Sequence, residues 1–401
     1  MILPTLGTVV HTLGHALGER IRRAVHTATT RERKIRIGVD IRPFYEPLTG
    51  IGWYLYHLLH ELARHEDVEL FLFGDARATD EGPQLHAEIP ANAHLCAFDL
   101  RGRPKSRLAR PLTAGAYVVL MALVDCDVFF GANYFLPRLM GAVARRRVIT
   151  IHDLTYKRFP NLLQKETLDN LERHMGREIA LADAIICVSE STRRDLLHFY
   201  PLDPHRAQTI HSGIAALPDP LPPLGLPEKY ILFVSTIEPR KNVDVLLDAF
   251  DEIRGEYDGS LVVAGRIGWK AEQTASRLRA PGVVHLDYLP PAQLAAAYRG
   301  ADAFVFPSIY EGFGFPLLEA MREGVPSIAA RSSSLPEIGG NAALYFDPAD
   351  AHELALQLRR VLNDQALRKE LIDLGHHRAA QFRWDVAAEE TLAVLRRVAE
   401  T

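Results

Sequence analysis

The chain of 401 residues is poor in cysteine, with only Cys96, Cys126 and Cys187, odd in number, far apart and in apolar contexts. That excludes a disulfide framework, and no Cys/His cluster has zinc spacing, so the three read as reduced core residues of a cytoplasmic protein. No apolar run is long enough to span a bilayer. The first 30 residues lack the basic start of a signal peptide, and Pro4, His11 and His15 interrupt their apolar run. Charge of one sign is not in excess: 46 Lys+Arg stand against 50 Asp+Glu, for a net −4. The basic clusters Arg101, Arg103, Lys105, Arg107, Arg110 and Arg145–Arg147 have no interleaved aromatics and no nucleic-acid fold signature. They read as solvated surface, with a face toward anionic lipid or a diphosphate-linked acceptor as the sharper alternative, and no nucleic-acid partner is expected.

What is present is an alternation of short apolar β-rich runs with helical segments, the pattern of parallel sheets wound by helices. Strands are expected at Ile35–Val39, Val68–Phe73, Val128–Phe130, Val148–His152, Ala184–Ser189 and Gln208–His211, with helices at Gly52–Arg64 and Gln164–Ala182. In the second half, strands are expected at Tyr230–Ser235, Ser260–Ala264, Val283–Leu286, Ala303–Phe306, Ser327–Ala329 and Ala343–Phe346. Helices there fall near Val243–Arg254, Pro291–Arg299 and His352–Leu362. Prolines at 218, 220, 222, 223 and 227 exclude helix and central strand between the halves, so Leu217–Pro227 reads as a stiff linker. The expected organisation is an extension at 1–33, a first Rossmann-like lobe at 34–216, the linker at 217–227, a second lobe at 228–380 and a last helix at 381–401. A ligand cleft would lie between the lobes, at the carboxyl ends of both sheets.

Residues 310–321, Tyr-Glu-Gly-Phe-Gly-Phe-Pro-Leu-Leu-Glu-Ala-Met, carry the sharpest chemistry. They follow the buried strand Ala303–Phe306, break regular structure at Gly312 and Gly314, and restart as a helix with Pro316 in its first turn. Orphan N–H groups at that helix head, around Phe315, Leu317 and Leu318, attract phosphate. Glu311 and Glu319 bracket this anion site, and carboxylates accept hydrogen bonds from sugar or ribose hydroxyls. For either glutamate alone, an ordinary first-turn acid favoured by the helix dipole is the competing reading.

This string resembles the E-x7-E signature of the retaining GT-B glycosyltransferases of family 4, which includes bacterial mannosyltransferases, sucrose synthases and glycogen synthases. The resemblance runs from about Lys34 onward and implies the GT-B fold: two Rossmann-like lobes with parallel sheets facing across a cleft, the final helix returning to the first lobe. It implies a nucleotide-diphosphate sugar as donor, held mainly by the second lobe, with Glu319 on the ribose and Glu311 on the donor sugar. No metal or other cofactor is implied.

Other elements fit the same reading. Glu238-Pro-Arg-Lys-Asn places Arg240 and Lys241 at a helix start, where the dipole disfavours cations and an anion would sit. A diphosphate leaving group needs that neutralisation as its bond breaks. Turns at Val263-Ala264-Gly265 and Leu286-Asp287-Tyr288-Leu289-Pro290 correspond to main chain that reads the nucleobase in the family, although Asp287 stands where glycine is usual. In the first lobe, Thr49-Gly50-Ile51-Gly52-Trp53-Tyr54 resembles the Gly-Ile-Gly-Arg-Tyr element of family mannosyltransferases, with Trp53 in place of arginine. Gly50 permits close backbone approach to a phosphate, but the loop fails as a dinucleotide fingerprint. His152, at the end of strand Val148–His152, matches a histidine that contacts the transferred sugar in the family. Ser189-Glu-Ser-Thr reads as a helix cap. Asp125-Cys126-Asp127 has the D-x-D form of metal-dependent sugar transferases but is read as a turn between a helix and a strand.

Charge is uneven: residues 1–215 hold 27 Lys+Arg against 24 Asp+Glu (+3), and the remainder 19 against 26 (−7). Within 1–36, seven basic residues meet two acidic ones, and Ile2, Leu6, Val9, Leu13, Leu17, Ile21 and Val25 recur every three or four positions. That suits an amphipathic helix on an anionic membrane or, equally, one packed on the first lobe. The expected location is cytoplasmic, with the first alternative adding peripheral contact at the cytoplasmic face of the inner membrane. The activity expected from the resemblance is retaining transfer of a hexose, mannose from GDP-mannose first, to a hydroxyl of a lipid-linked saccharide acceptor in surface polysaccharide assembly. A UDP-sugar donor, a GT-B nucleotide-sugar epimerase and a non-catalytic sugar-nucleotide binder remain as alternatives.

Overall fold

The computed structural model describes residues 34–401 apart from residues 46, 75–77, 80–81, 84, 98–117, 120, 135, 137 and 222–224. The amphipathic segment 1–33 and the basic cluster 101–110 therefore lie outside the described residues. Arg145, Arg146 and Arg147, described, each find a partner: Asp125 at 3.5 Å, Asp183 at 3.2 Å, and the Gly141 carbonyl.

The first sheet begins with β1 (Ile35–Asp40), followed by α1 (Gly50–Leu62), β2 (Val68–Gly74), β3 (His94–Ala97), β4 (Val128–Gly131), β5 (Arg147–Ile151), α2 (Lys165–Leu181), β6 (Ala184–Cys187), α3 (Glu190–Phe199) and β7 (Ala207–Thr209). Its seven strands run in the order β3-β2-β1-β4-β5-β6-β7, all parallel. Every residue of β4 and β6 is buried, as expected of short apolar runs covered by helices on both faces.

The second sheet repeats the plan. It comprises β8 (Tyr230–Val234), α4 (Val243–Ile253), β9 (Ser260–Ala264), β10 (Val283–Leu286), α5 (Pro291–Arg299), β11 (Ala303–Phe306), α6 (Phe315–Arg322), β12 (Ser327–Ala330), α7 (Leu335–Gly339) and β13 (Ala343–Phe346). Its six parallel strands run β10-β9-β8-β11-β12-β13. Helices α8 (Ala351–Asn363) and α9 (Gln365–Ala379) follow, and α10 (Trp384–Glu400) closes the described chain. In each sheet the strand order reverses beside the first strand, between β1 and β4 and between β8 and β11. A crevice at the carboxyl ends of those strands is the ligand position of open α/β sheets.

Helix α10 leaves the second lobe and packs on α1 and on the first sheet, burying Ala388, Leu392, Val394 and Leu395. Among the described residues the lobes also meet through polar contacts, one of them from Arg322 Nη1 to the Ile214 carbonyl at 3.2 Å. Glu337 of α7 accepts the N–H groups of Glu190 (2.7 Å) and Ser191 (2.9 Å) and the Nε2 of His211 (2.6 Å). Ser189 Oγ takes the next amide of α3, from Thr192, so the cap expected at Ser189 is present, with a carboxylate from the other lobe completing it. Thr192 Oγ1 lies 3.3 Å from both the His152 and Gly312 carbonyls. Trp269 Nε1 and Lys270 Nζ donate to the carbonyls of Leu162 and Asn161. Tyr310 donates to Asp195 at 2.6 Å.

Most strands fall where the apolar runs place them. The fifth starts at Arg147 and ends at Ile151, leaving His152 just beyond it. Helix α1 begins at Gly50, two residues before the expected Gly52. Strand β3 and helix α9 escape sequence reading: β3 is four residues with a histidine and a cysteine, and α9 buries little beyond Leu371, Gly375 and Ala379. Among the described residues no helix is long and apolar enough to cross a membrane.

Because α10 covers the first sheet with a fully buried leucine, Leu395→Ala should destabilise the fold by about 2–5 kcal/mol, read as a lowered denaturation midpoint in urea. An unchanged midpoint would show that α10 does not contribute to the first lobe's core.

Candidate active site

The second-lobe half of the site starts where β8 ends. Pro239–Lys241 forms a single 3-10 turn, and Asn242 follows in the left-handed region (φ 57) that asparagine tolerates. Its amide nitrogen donates to the carbonyls of Pro307 (3.1 Å) and Pro348 (2.7 Å), which fixes the turn against the strand next door. Arg240 and Lys241 are thereby aimed at the loop after β11. There, Glu311 receives Arg240 Nη1 on Oε2 at 2.8 Å and Lys241 Nζ on Oε1 at 2.5 Å. Arg240 also holds Glu238 through Nη2 (2.8 Å) and Nε (3.1 Å), and its Nη1 donates to the Tyr310 carbonyl (2.9 Å).

Two cations and two carboxylates thus share one sheltered cluster, with Glu311 only 8% exposed. Burial pushes the Glu311 carboxyl up, but Arg240 and Lys241 outweigh it and bring the pKa down to about 2. Burial, reinforced by Arg240, pulls the Lys241 ammonium below its ordinary value against the opposing pull of Glu311. Glu238 is raised by burial in spite of its neighbouring cations. The two cations are therefore pre-positioned, and a dianionic diphosphate would satisfy donors that the carboxylates leave over.

The head of α6 lies beside this cluster. Gly314, at φ 118, caps it, a conformation that needs glycine. Ser334 Oγ donates to the carbonyls of Glu311 (3.0 Å) and Phe313 (2.7 Å), while Ser333 Oγ accepts the Glu311 N–H (2.8 Å). The expected phosphate cradle is narrower than the string suggested: Pro316 has no N–H, and Leu317 donates to the Gly314 carbonyl at 3.1 Å. Leu317 and Leu318 bury their side chains in the core, so only backbone can face a ligand there. Glu319 accepts from Tyr298 Oη at 2.9 Å. Burial raises its pKa, and the Tyr298 bond partly offsets this.

On the side expected to read a base, Gly265 has φ 151, and a Cβ there would lie 1.8 Å from the Ser235 carbonyl oxygen. Its N–H donates to Leu286, and His285 Nε2 binds its carbonyl at 2.8 Å. Asp287 needs no left-handed backbone. Its carboxylate accepts the following N–H, from Tyr288, at 2.8 Å. Leu289 is half-buried in the same turn.

From the first lobe, Gly50 opens α1 with no atom within 4 Å of an added Cβ, whereas Gly52 packs on Leu48. His152, just past β5, is half-buried between the rings of Tyr54 (5.0 Å) and Tyr134 (5.6 Å). Its Nε2 lies 2.7 Å from the Ala132 carbonyl. A carbonyl only accepts, so Nε2 carries the proton and Nδ1 is the acceptor of a neutral ring. Burial lowers the His152 pKa, and the Ala132 bond and Asp153 only partly oppose it. The His152 carbonyl meets the other lobe, where a Cβ at Gly312 would lie 1.6 Å from it.

The structure thus brings Glu311, Arg240, Lys241, Gly312–Phe315 and His152 to one crevice. It adds Glu238, Tyr134 and Tyr310, which sequence reasoning did not single out. Glu238 was visible inside the Glu-Pro-Arg-Lys-Asn element, whereas the left-handed Tyr134 (φ 59) left no signal. The Asp125-Cys126-Asp127 stretch stays away: Asp125 pairs with Arg145 and Asp127 accepts the Arg36 N–H at 2.9 Å. Among the described residues no group of three or more His, Cys, Asp or Glu is placed to hold a metal ion.

Two Rossmann-like lobes facing across a crevice are the GT-B architecture of glycosyltransferases. The family described as glycosyl transferases group 1 matches residues 222–378, and glycosyltransferase family 4 matches residues 48–216. The O-antigen chain mannosyltransferase B of Escherichia coli is 31% identical over 382 residues, 87% of this chain and 96% of that one. A D-inositol 3-phosphate glycosyltransferase of a Nocardioides species is 28% identical, with 91% of this chain and 90% of that one covered. Among solved structures, the sucrose-phosphate synthase of Thermosynechococcus elongatus superposes with a TM-score of 0.67 at 21% identity, covering 91% of this chain and 99% of that one. The chain belongs to this glycosyltransferase family.

A carboxyl whose folded pKa is depressed stabilises the fold above its unfolded value and loses that contribution as pH falls through the folded one. For Glu311 that window runs from the ordinary 4.5 down to about 2. The denaturation midpoint of the wild type should therefore fall through this window more steeply than that of Glu311→Gln. Parallel pH profiles would show that Glu311 is not held by the two cations in solution.

Proposed function

We propose that this glycosyltransferase moves a hexose, mannose from GDP-mannose first, to a hydroxyl of a saccharide acceptor, with retention of anomeric configuration and without a metal. The observation that carries the reading is the bidentate grip of Glu311 on Arg240 and Lys241 beside the head of α6. A diphosphate leaving group gathers negative charge as the glycosidic bond breaks, and fixed cations there lower the barrier without reorganising. In this reading Arg240 and Lys241 hold the diphosphate together with the free N–H groups of the α6 head. Glu319 takes the ribose hydroxyls, and the Gly265 and Leu289 turns take the base.

His152 is neutral with Nδ1 as acceptor, which suits a hydrogen bond from a hydroxyl of the transferred sugar and rules the ring out as proton donor through that nitrogen. The acceptor attacks on the face the leaving group departs from, and the departing phosphate oxygen takes its proton. Contacts between the lobes at Gly312, Thr192 and Trp269 exclude water and limit hydrolysis of the donor. Mannose as the sugar is supported by the O-antigen chain mannosyltransferase relative, and a lipid-linked acceptor at the cytoplasmic membrane face is part of the same proposal; the residues themselves select neither.

A thermal-shift comparison of GDP, UDP, ADP and dTDP, with and without Mg²⁺, tests the donor. At a hundred times its dissociation constant a ligand adds about 2.7 kcal/mol. The expected result is a GDP-selective shift independent of Mg²⁺; a UDP-selective shift would replace the donor, and no shift at all would remove the transferase reading. Lys241→Ala should reduce turnover by about 10²–10³-fold while changing GDP affinity far less, because the charge matters most as the leaving group forms. Equal losses in turnover and affinity would assign Lys241 to ground-state binding alone.

A further inference from the structure

Trp53, exposed near the head of α1, is the start of a row. Helix α1 buries Tyr54, Leu55, Leu58, Leu59 and Leu62. On its other side Trp53, His57 and Glu61 recur every four residues and so share one stripe. The Trp53 indole, 40% exposed, stacks on His57 (centroids 5.8 Å apart, planes at 24°). His57 stacks on Trp384 (5.1 Å, 20°), and Trp384 stacks on Phe315 (6.3 Å, 23°).

This row is joined to the site at both levels. Phe315 is the first residue of α6, beside the Glu311 cluster. Tyr54 sits edge-on to both Trp384 (5.9 Å) and His152 (5.0 Å). Burial, with His60 adding to it, holds the His57 pKa down to about 4, so the stack is uncharged at neutral pH. Against Trp384 opens a pocket of about 320 Å³ whose wall includes Glu61, Arg64, Arg322, Arg383 and Asp385. Trp53 is thus the exposed end of a stack whose inner ring Trp384 is buried, and Glu61, on the same stripe of α1, continues into a concavity lined by carboxylates and guanidiniums.

A pyranose ring has an apolar C–H face and a rim of hydroxyls. Its face gains by covering an exposed indole, and its rim gains from paired acceptors and donors. The donor has its own surfaces on the second lobe, so this row lies on the acceptor's side. Resting on the transferase reading above, we propose that Trp53, backed by His57 and Trp384, and the pocket beyond form a subsite for sugar residues of the acceptor that precede the one being extended. The acceptor is then a glycan of at least two or three sugars, recognised along α1.

Titration of the full chain with α-mannotriose and with methyl α-mannoside, followed by calorimetry, tests this without requiring turnover. The wild type should bind the trisaccharide more tightly than the monosaccharide. Trp53→Ala should weaken trisaccharide binding about tenfold or more, the loss of one stacked ring, and Trp53→Phe should restore most of it. GDP affinity, measured alongside, should stay the same in all three proteins. Equal binding of tri- and monosaccharide by the wild type, or an unaltered trisaccharide affinity in Trp53→Ala, would overturn the subsite. A parallel loss of GDP binding would assign Trp53 to the packing of α1 instead. Trp53-dependent binding by a protein that turns over no nucleotide sugar would keep the subsite and remove the transferase reading, so the two fail separately.

Discussion

A carboxylate sheltered between two cations, Glu311 between Arg240 and Lys241, is the constraint on which the site depends. Leaving two neighbouring cations buried without a counter-charge would be strongly unfavourable, so the chain surrounds them with Glu311 and Glu238. The pairing costs conformational freedom, and what it supplies is orientation. Both cations are held in fixed positions with donors left over, which is what the proposed diphosphate role requires. The same cluster ties the strand end after β8 to the loop after β11, the two sides of the point where the second sheet reverses order.

The rest of the molecule positions that cluster against its counterpart. The first sheet reverses order in the same way, and its crevice edge delivers His152 and the head of α1. Contact between the halves is close enough that Gly312 has no room for a side chain beside the His152 carbonyl. Glu337 completes the cap of α3 from across the lobe boundary, and α10 reaches back over the first sheet. These contacts describe a closed arrangement in which two separately wound sheets build one site.

Much of this was legible in the chain. Short apolar runs mark parallel strands, so Ser260–Ala264, Val283–Leu286, Ala303–Phe306 and Ala343–Phe346 fall where the pattern puts them, the second and last of these at the less buried sheet edges. The glycines and proline of 312–316 announce a loop and a helix head. Strand β3 was not legible because its four residues, His94-Leu-Cys-Ala, include no β-branched or aromatic side chain, and α9 was not because it shows the core only a narrow face. The joining of Glu311 to Arg240 and Lys241, some seventy residues away, depends on which strands become neighbours, and spacing along the chain does not encode that. Tyr134 in a left-handed conformation and the stacked row from Trp53 to Phe315 are likewise products of tertiary contact.

The most direct test of the central claim is a crystal structure of the protein with GDP bound. The account predicts diphosphate oxygens within about 3 Å of the Arg240 guanidinium and the Lys241 ammonium, with both cations still held by Glu311. A diphosphate bound through a metal ion, or lying away from these two residues, would contradict it.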